Sequence, residues 1–89
     1  MKTILFYWGK GAETRVKIIQ IIGRGERESE PVYSNLIADE LGISKVAIKK
    51  HVDLLIEEKY IKLLNPDGKP HYLVLTEQGI EVLKEFSKR

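Results

Sequence analysis

The chain has 89 residues, 43% of them hydrophobic and 31% charged, with a formal net charge of +2 and no cysteine. That length supports one modest core and not two, and the composition is globular rather than disordered. No apolar stretch approaches the ~20 residues that span a bilayer, and without cysteine there are no disulfides or thiolate metal sites, so a cytoplasmic protein is expected.

In chain order, residues 1–11 form an N-terminal extension with the apolar run Ile4-Leu5-Phe6-Tyr7-Trp8, too short for a signal-peptide core. Gly9-Lys10-Gly11 lacks the spacing of a phosphate-binding loop and its following Ser or Thr, and reads as a turn. From Ala12 to Ile22 apolar residues recur on a helical period, and Gly23 and Gly25 are expected to stop that helix. Glu26 to Pro31 is polar and acidic, a solvated loop, and Val32-Tyr33 is a candidate short edge strand. A second helix is expected from Ser34, as its N-cap, to Leu41.

Gly42-Ile43 makes a tight turn, and Ser44 is placed to cap a third helix reaching Glu58. Ile43 and Ile48 flank that cap as a hydrophobic staple. Residues 60–75 read as a hairpin, with runs Tyr60 to Leu64 and His71 to Leu75 joined by Asn65-Pro66-Asp67-Gly68-Lys69-Pro70. Pro66 presets φ there and Gly68 accepts positive φ. Thr76 caps a last helix over 76–89, with Leu75 and Ile80 repeating the staple.

Residues 34–58 carry the functional signal. Ala38 is small where a second helix must cross closely, Gly42 can turn four residues later, and Ile37, Leu41, Ile43 and Ile48 plug the angle between the helices. At 100° per residue, Ala47, Ile48, His51, Val52 and Leu55 share one side of the third helix, while Lys45, Val46, Lys49, Lys50 and Asp53 share the other. The first two turns of the exposed side hold three lysines and no carboxylate, whereas Glu57 and Glu58 wait at the far end. A helix entering the major groove N-terminus first would want that distribution, the alternative being a solvated lysine face, and the Ala38-Gly42-Ile48 frame favours the groove.

Residues 18–79 resemble the winged helix-turn-helix family of bacterial and archaeal regulators. Leu36-Ile37-Ala38-Asp39-Glu40-Leu41-Gly42-Ile43-Ser44 is similar to its second helix and turn, and Ala47-Ile48-Lys49-Lys50-His51-Val52 to its recognition helix. Lys59-Tyr60-Ile61 and Tyr72-Leu73-Val74-Leu75-Thr76-Glu77-Gln78-Gly79 are similar to the wing and the start of the last helix. The resemblance implies one α+β domain over 1–89: a three-helix core, a two- to three-stranded β-wing and a C-terminal helix. It further implies a regulator of transcription, a repressor, with Ser44, Lys45, Val46, Lys49 and Lys50 facing the major groove of duplex DNA. Wing residues 64–71, around Lys69, would then approach phosphates or the minor groove; Lys62 competes with Lys69, and strand phase does not decide between them. Two departures stand out. Lys59 occupies a position where the family usually has glycine, so either Lys59 takes a strained positive φ or the helix ends differently here. Lys49 and Lys50 are point charges where an arginine fork would read guanine bidentately, so phosphate positioning suits at least one of them.

The chain ends carry a second signal. Leu5, Tyr7 and Trp8, with Ile80, Leu83 and Phe86, offer more apolar surface than one small core hides, and are expected to form a homodimer interface. The competing arrangement folds the N-terminal run back on the wing sheet as a strand. His51 is expected to be a core histidine with a local hydrogen bond, and His71 a surface residue beside the wing. Two histidines without cysteine imply no metal site or cofactor, and no nucleophile–base arrangement implies an enzyme. The alternative function class is a winged-helix protein-interaction module within a larger assembly. Richness in isoleucine, lysine and glutamate leans toward a thermophilic archaeal source.

Overall fold

The computed structural model describes residues 2–87, with side chains from residue 5 onward. Met1, Lys88, Arg89 and the side chain of Ile4, which belonged to the expected terminal segments, lie outside the described residues. The elements in order are α1 (Lys2–Tyr7), α2 (Ala12–Arg27), α3 (Ser34–Leu41), α4 (Lys45–Glu57), β1 (Ile61–Leu63), β2 (Leu73–Leu75) and α5 (Glu77–Ser87). The strands pair antiparallel with Ile61 opposite Leu75 and Leu63 opposite Leu73. This α+β arrangement is that of a winged helix.

Isoleucine dominates the interior. Ile18, Ile19 and Ile22 of α2, Ile37 of α3, Ile48 and Leu55 of α4, Ile61 of β1 and Val82 of α5 are essentially inaccessible. Every element from α2 onward therefore contributes to one cluster, and Leu5 and Phe6 of α1 join it. The Phe6 ring meets Tyr60 edge-on, with centroids 5.0 Å apart, a favourable arrangement of the ring quadrupoles.

Several elements differ from expectation. Residues 2–7 form a helix rather than a strand on the wing, because Leu5 and Phe6 fill the core from that side while Trp8 stays exposed. Leu5 thereby leaves the set of residues available to a dimer interface. Helix α2 does not stop at Gly23 but continues to Arg27, with both glycines buried inside it. They are there for close approach: a Cβ on Gly23 would press on the Leu83 side chain of α5, and one on Gly25 on Val32 and the Glu30 carbonyl. The acidic loop is correspondingly shorter. Ser34 is the first residue of α3, not its cap; Tyr33 holds the extended cap position without a side-chain bond. The candidate strand Val32-Tyr33 reduces to one bridge, Tyr33 to Tyr72, supported by the Leu73 N–H donating to the Val32 carbonyl at 2.8 Å.

Polar ties fix α2 to its neighbours. Arg24 donates from Nη2 to both carboxylate oxygens of Glu40 of α3, at 2.7 and 2.9 Å. Glu26 accepts the Leu75 N–H at 2.8 Å, anchoring β2 against the end of α2.

Candidate nucleic-acid interface

The turn between α3 and α4 follows from two residues. Gly42 adopts φ 70°, a left-handed conformation that costs glycine little, and the Ile43 N–H returns to the Ala38 carbonyl at 3.1 Å. Ala38 itself is buried, so α4 crosses α3 where no larger side chain would fit. Ser44 then caps α4, its hydroxyl accepting from the Ala47 N–H at 3.1 Å. With Ile48, Val52 and Leu55 locked in the core, the opposite side of α4 is forced outward.

That outward side carries Lys45, Val46, Lys49, Lys50 and Asp53, all exposed. Lys49 donates to Asp53 at 2.8 Å, an i,i+4 pair on the helix surface. Lys50 makes no ion pair among the described residues. Lys45, Lys49 and Asp53 border a groove of 340 Å³ between α4 and the hairpin, whose walls also include Ser34, Asn35, Leu63 and His71. His71, a surface residue beside the wing as expected, shares this groove with the two lysines. Ser34 and Asn35 belong to this surface as well and were not singled out from sequence. The only signal for them is their position at the start of the helix preceding the turn.

The hairpin loop is organised by Asn65. Its side chain donates to the Pro70 carbonyl at 3.0 Å and accepts the Tyr72 N–H at 2.8 Å, and its backbone carbonyl takes the Gly68 N–H at 2.8 Å. This clasp holds Lys69 exposed at the tip. Side chains alternate along strands, so with Leu63 in the α4 groove, Lys62 and its partner Val74 lie on the opposite face. Of the two competing lysines, Lys69 is on the loop and Lys62 is turned away from the groove.

Just beyond the C-cap Glu58 of α4, Lys59 adopts φ 70°, the strained conformation that the missing glycine raised. The Tyr60 N–H reaches back to Leu55 at 2.9 Å and the Lys59 N–H to Ile56 at 3.0 Å, a paired closure that requires the left-handed residue. The Thr76 hydroxyl donates to the Lys59 carbonyl at 2.6 Å and accepts the Gly79 N–H at 3.2 Å, joining the end of α4 to the start of α5.

Behind α4 lies a feature that sequence inspection missed. Arg15 of α2 is buried, donating from Nε to the Leu5 carbonyl at 2.7 Å and from Nη2 to the Lys10 carbonyl at 3.4 Å. Its Nη1 sits 3.3 Å from His51 Nδ1. Guanidinium has no acceptor, so Nδ1 accepts and His51 is neutral with its proton on Nε2. Burial, and secondarily the Arg15 charge, push the His51 pKa below its usual value. An arginine one turn into an amphipathic helix that also carries Glu13, Lys17 and Arg24 gives no such warning, since most arginines there face water.

The residues expected at a dimer interface divide. Tyr7 stacks obliquely on Phe86 at 5.2 Å, Trp8 is 66% exposed, and Ile80 is exposed farther along α5. Leu83 is half-buried on Gly23, and Leu5 is core. Among the described residues no cluster of three histidine or carboxylate side chains could hold a metal ion, and no helix is long and apolar enough to cross a membrane.

Neither a protein-family profile nor any curated protein sequence matches the chain. Solved structures do. A cysteine-to-serine variant of ZitR from Lactococcus lactis superposes with a TM-score of 0.71 at 26% identity, covering 89% of this chain and 52% of that one. A second ZitR variant, with cysteine and histidine replaced by alanine, gives 0.69 at 26% identity, covering 85% and 50%. The chain therefore spans about half the length of these neighbours.

Proposed function

We propose that this chain binds double-stranded DNA as a regulator of transcription, placing α4 in the major groove and the wing tip on the backbone. The observation that carries the reading is the exposed side of α4. Three lysines crowd its first two turns, and two of them share a groove with His71 of the hairpin. Cations so placed neutralise phosphates and release counterions, which supplies most of the affinity of small DNA readers. The likeness to ZitR supports the same assignment at the level of the fold. Repression by occupying a promoter asks nothing further of the domain.

The reading includes a homodimer. Tyr7 of α1, Trp8 just after it, and Ile80 and Phe86 of α5 supply apolar surface, and two-fold pairing through it would present two α4 helices to half-sites about 34 Å apart. Retardation of random-sequence duplex at low salt tests DNA binding. Failure to retard it, with the chain folded, would leave the protein-interaction module as the standing alternative. Light scattering at micromolar concentration tests assembly: twice the 10.2 kDa of one chain supports the dimer, and a monomer mass at every concentration refutes it.

A further inference from the structure

Of the apolar side chains on α4, Ile48, Val52 and Leu55 are buried and Leu54 and Ile56 half-buried, but Val46 is 67% exposed. It stands one residue inside the capped N-terminus of α4, with two thirds of its surface open. A β-branched residue there lowers helix propensity and leaves apolar surface in water, so folding gains little from it. We propose that Val46 is a specificity-determining residue that reads the C5-methyl group of a thymine in the major groove. The inference rests on the DNA-binding role assigned above to this helix.

The geometry separates Val46 from its neighbours. On a helical projection Lys49 and Lys50 flank it by about 60° and 40°, so it occupies the middle of the outward sector. Lysine arms are long enough to reach phosphates at the groove edges, whereas the short valine stays against whatever the helix meets head-on. Lys49 is moreover turned along the helix to Asp53, not across Val46. Valine can neither donate nor accept a hydrogen bond. Among the base edges displayed in the major groove of unmodified DNA, the thymine methyl is the apolar group it can contact.

The consequence is a preference set by one methyl group. Burying a methyl-sized increment is worth about fourfold in affinity. Duplexes retained by the wild-type chain from a random-sequence library supply the probe. In the tightest of them each thymine is replaced singly by uracil, which removes the methyl and preserves every hydrogen bond. Loss of about fourfold affinity at one position per half-site is expected. A cytosine there should weaken binding, and 5-methylcytosine should restore part of the loss. Val46→Ala should bind thymine and uracil duplexes alike while keeping its circular dichroism and salt dependence. Uracil tolerated at every position, or discrimination undiminished in V46A, overturns the assignment and leaves DNA binding standing. Retention of no duplex at all overturns the DNA-binding reading, and this one with it.

Discussion

Lys50 and Asp53 lie on the same outward side of α4 and should move DNA affinity in opposite directions. Lys50 has no ion pair among the described residues, so its ammonium can meet a phosphate at no internal cost. Lys50→Ala should lower the log–log slope of affinity against salt by about 0.9. Between about 50 and 200 mM salt, the penalty of the substitution should therefore shrink by about 3.5-fold. Asp53 does the reverse. Its carboxylate holds Lys49 at 2.8 Å, with both side chains largely exposed, and an exposed i,i+4 pair is worth about 0.3–0.5 kcal/mol. Asp53→Asn frees Lys49 from that bond and removes a negative charge from the outward side, so affinity should rise about twofold from the pair alone. The salt slope should steepen as well. Fluorescence anisotropy with a labelled duplex across the salt range reads both effects, and thermal melts confirm that each variant is folded. Equal shifts in the same direction, or unchanged slopes in folded proteins, would refute the assignment of this side of α4 to DNA.

Three further outcomes follow from the frame. A Cβ at Gly79 would run into the Tyr60 carbonyl, so Gly79→Ala should cost about 1–3 kcal/mol and lower Tm by at least about 4 °C in calorimetry; an unchanged Tm would mean that α5 is free to shift. Because His51 titrates below its unfolded value near 6.5, the unfolded chain takes up the proton first. Stability present above that pH should decline as pH falls toward the folded pKa, and His51→Gln should lose this part of the pH dependence in melts across the window; a wild-type profile flat there, or one the variant retains, contradicts it. Lys59→Gly should stabilise the chain by about 1 kcal/mol by relieving the left-handed backbone at φ 70°; a loss of stability in chemical denaturation would show that the lysine side chain compensates for the strain.

The helix-turn-helix was legible because its constraints are local. Ala38, Gly42, Ser44 and Ile48 each satisfy a short-range requirement of cap, turn or crossing, and the observed geometry repeats them. The same locality made the glycines of α2 misleading. Gly23 and Gly25 look like a helix stop from within their own segment, yet their reason lies in Leu83 and Val32, which only the tertiary fold brings there. Arg15 and Glu26 were opaque on the same ground: their partners at residues 5, 51 and 75 are far away in sequence. The facing of Lys62, away from the α4 groove, needed the strand register, which composition does not carry.

The Asn65 clasp divides responsibilities within the wing. Because one side chain bonds both Pro70 and Tyr72, the spacing of the strands at the loop base is set there and not by the residues at the tip. Pro66, Asp67 and Lys69 are exposed beyond that closure. Mutational drift at these three positions can thus be absorbed without disturbing the register of β1 and β2. The wing tip can therefore change in sequence while the strand pairing is kept, and Asn65 is the residue on which that freedom depends.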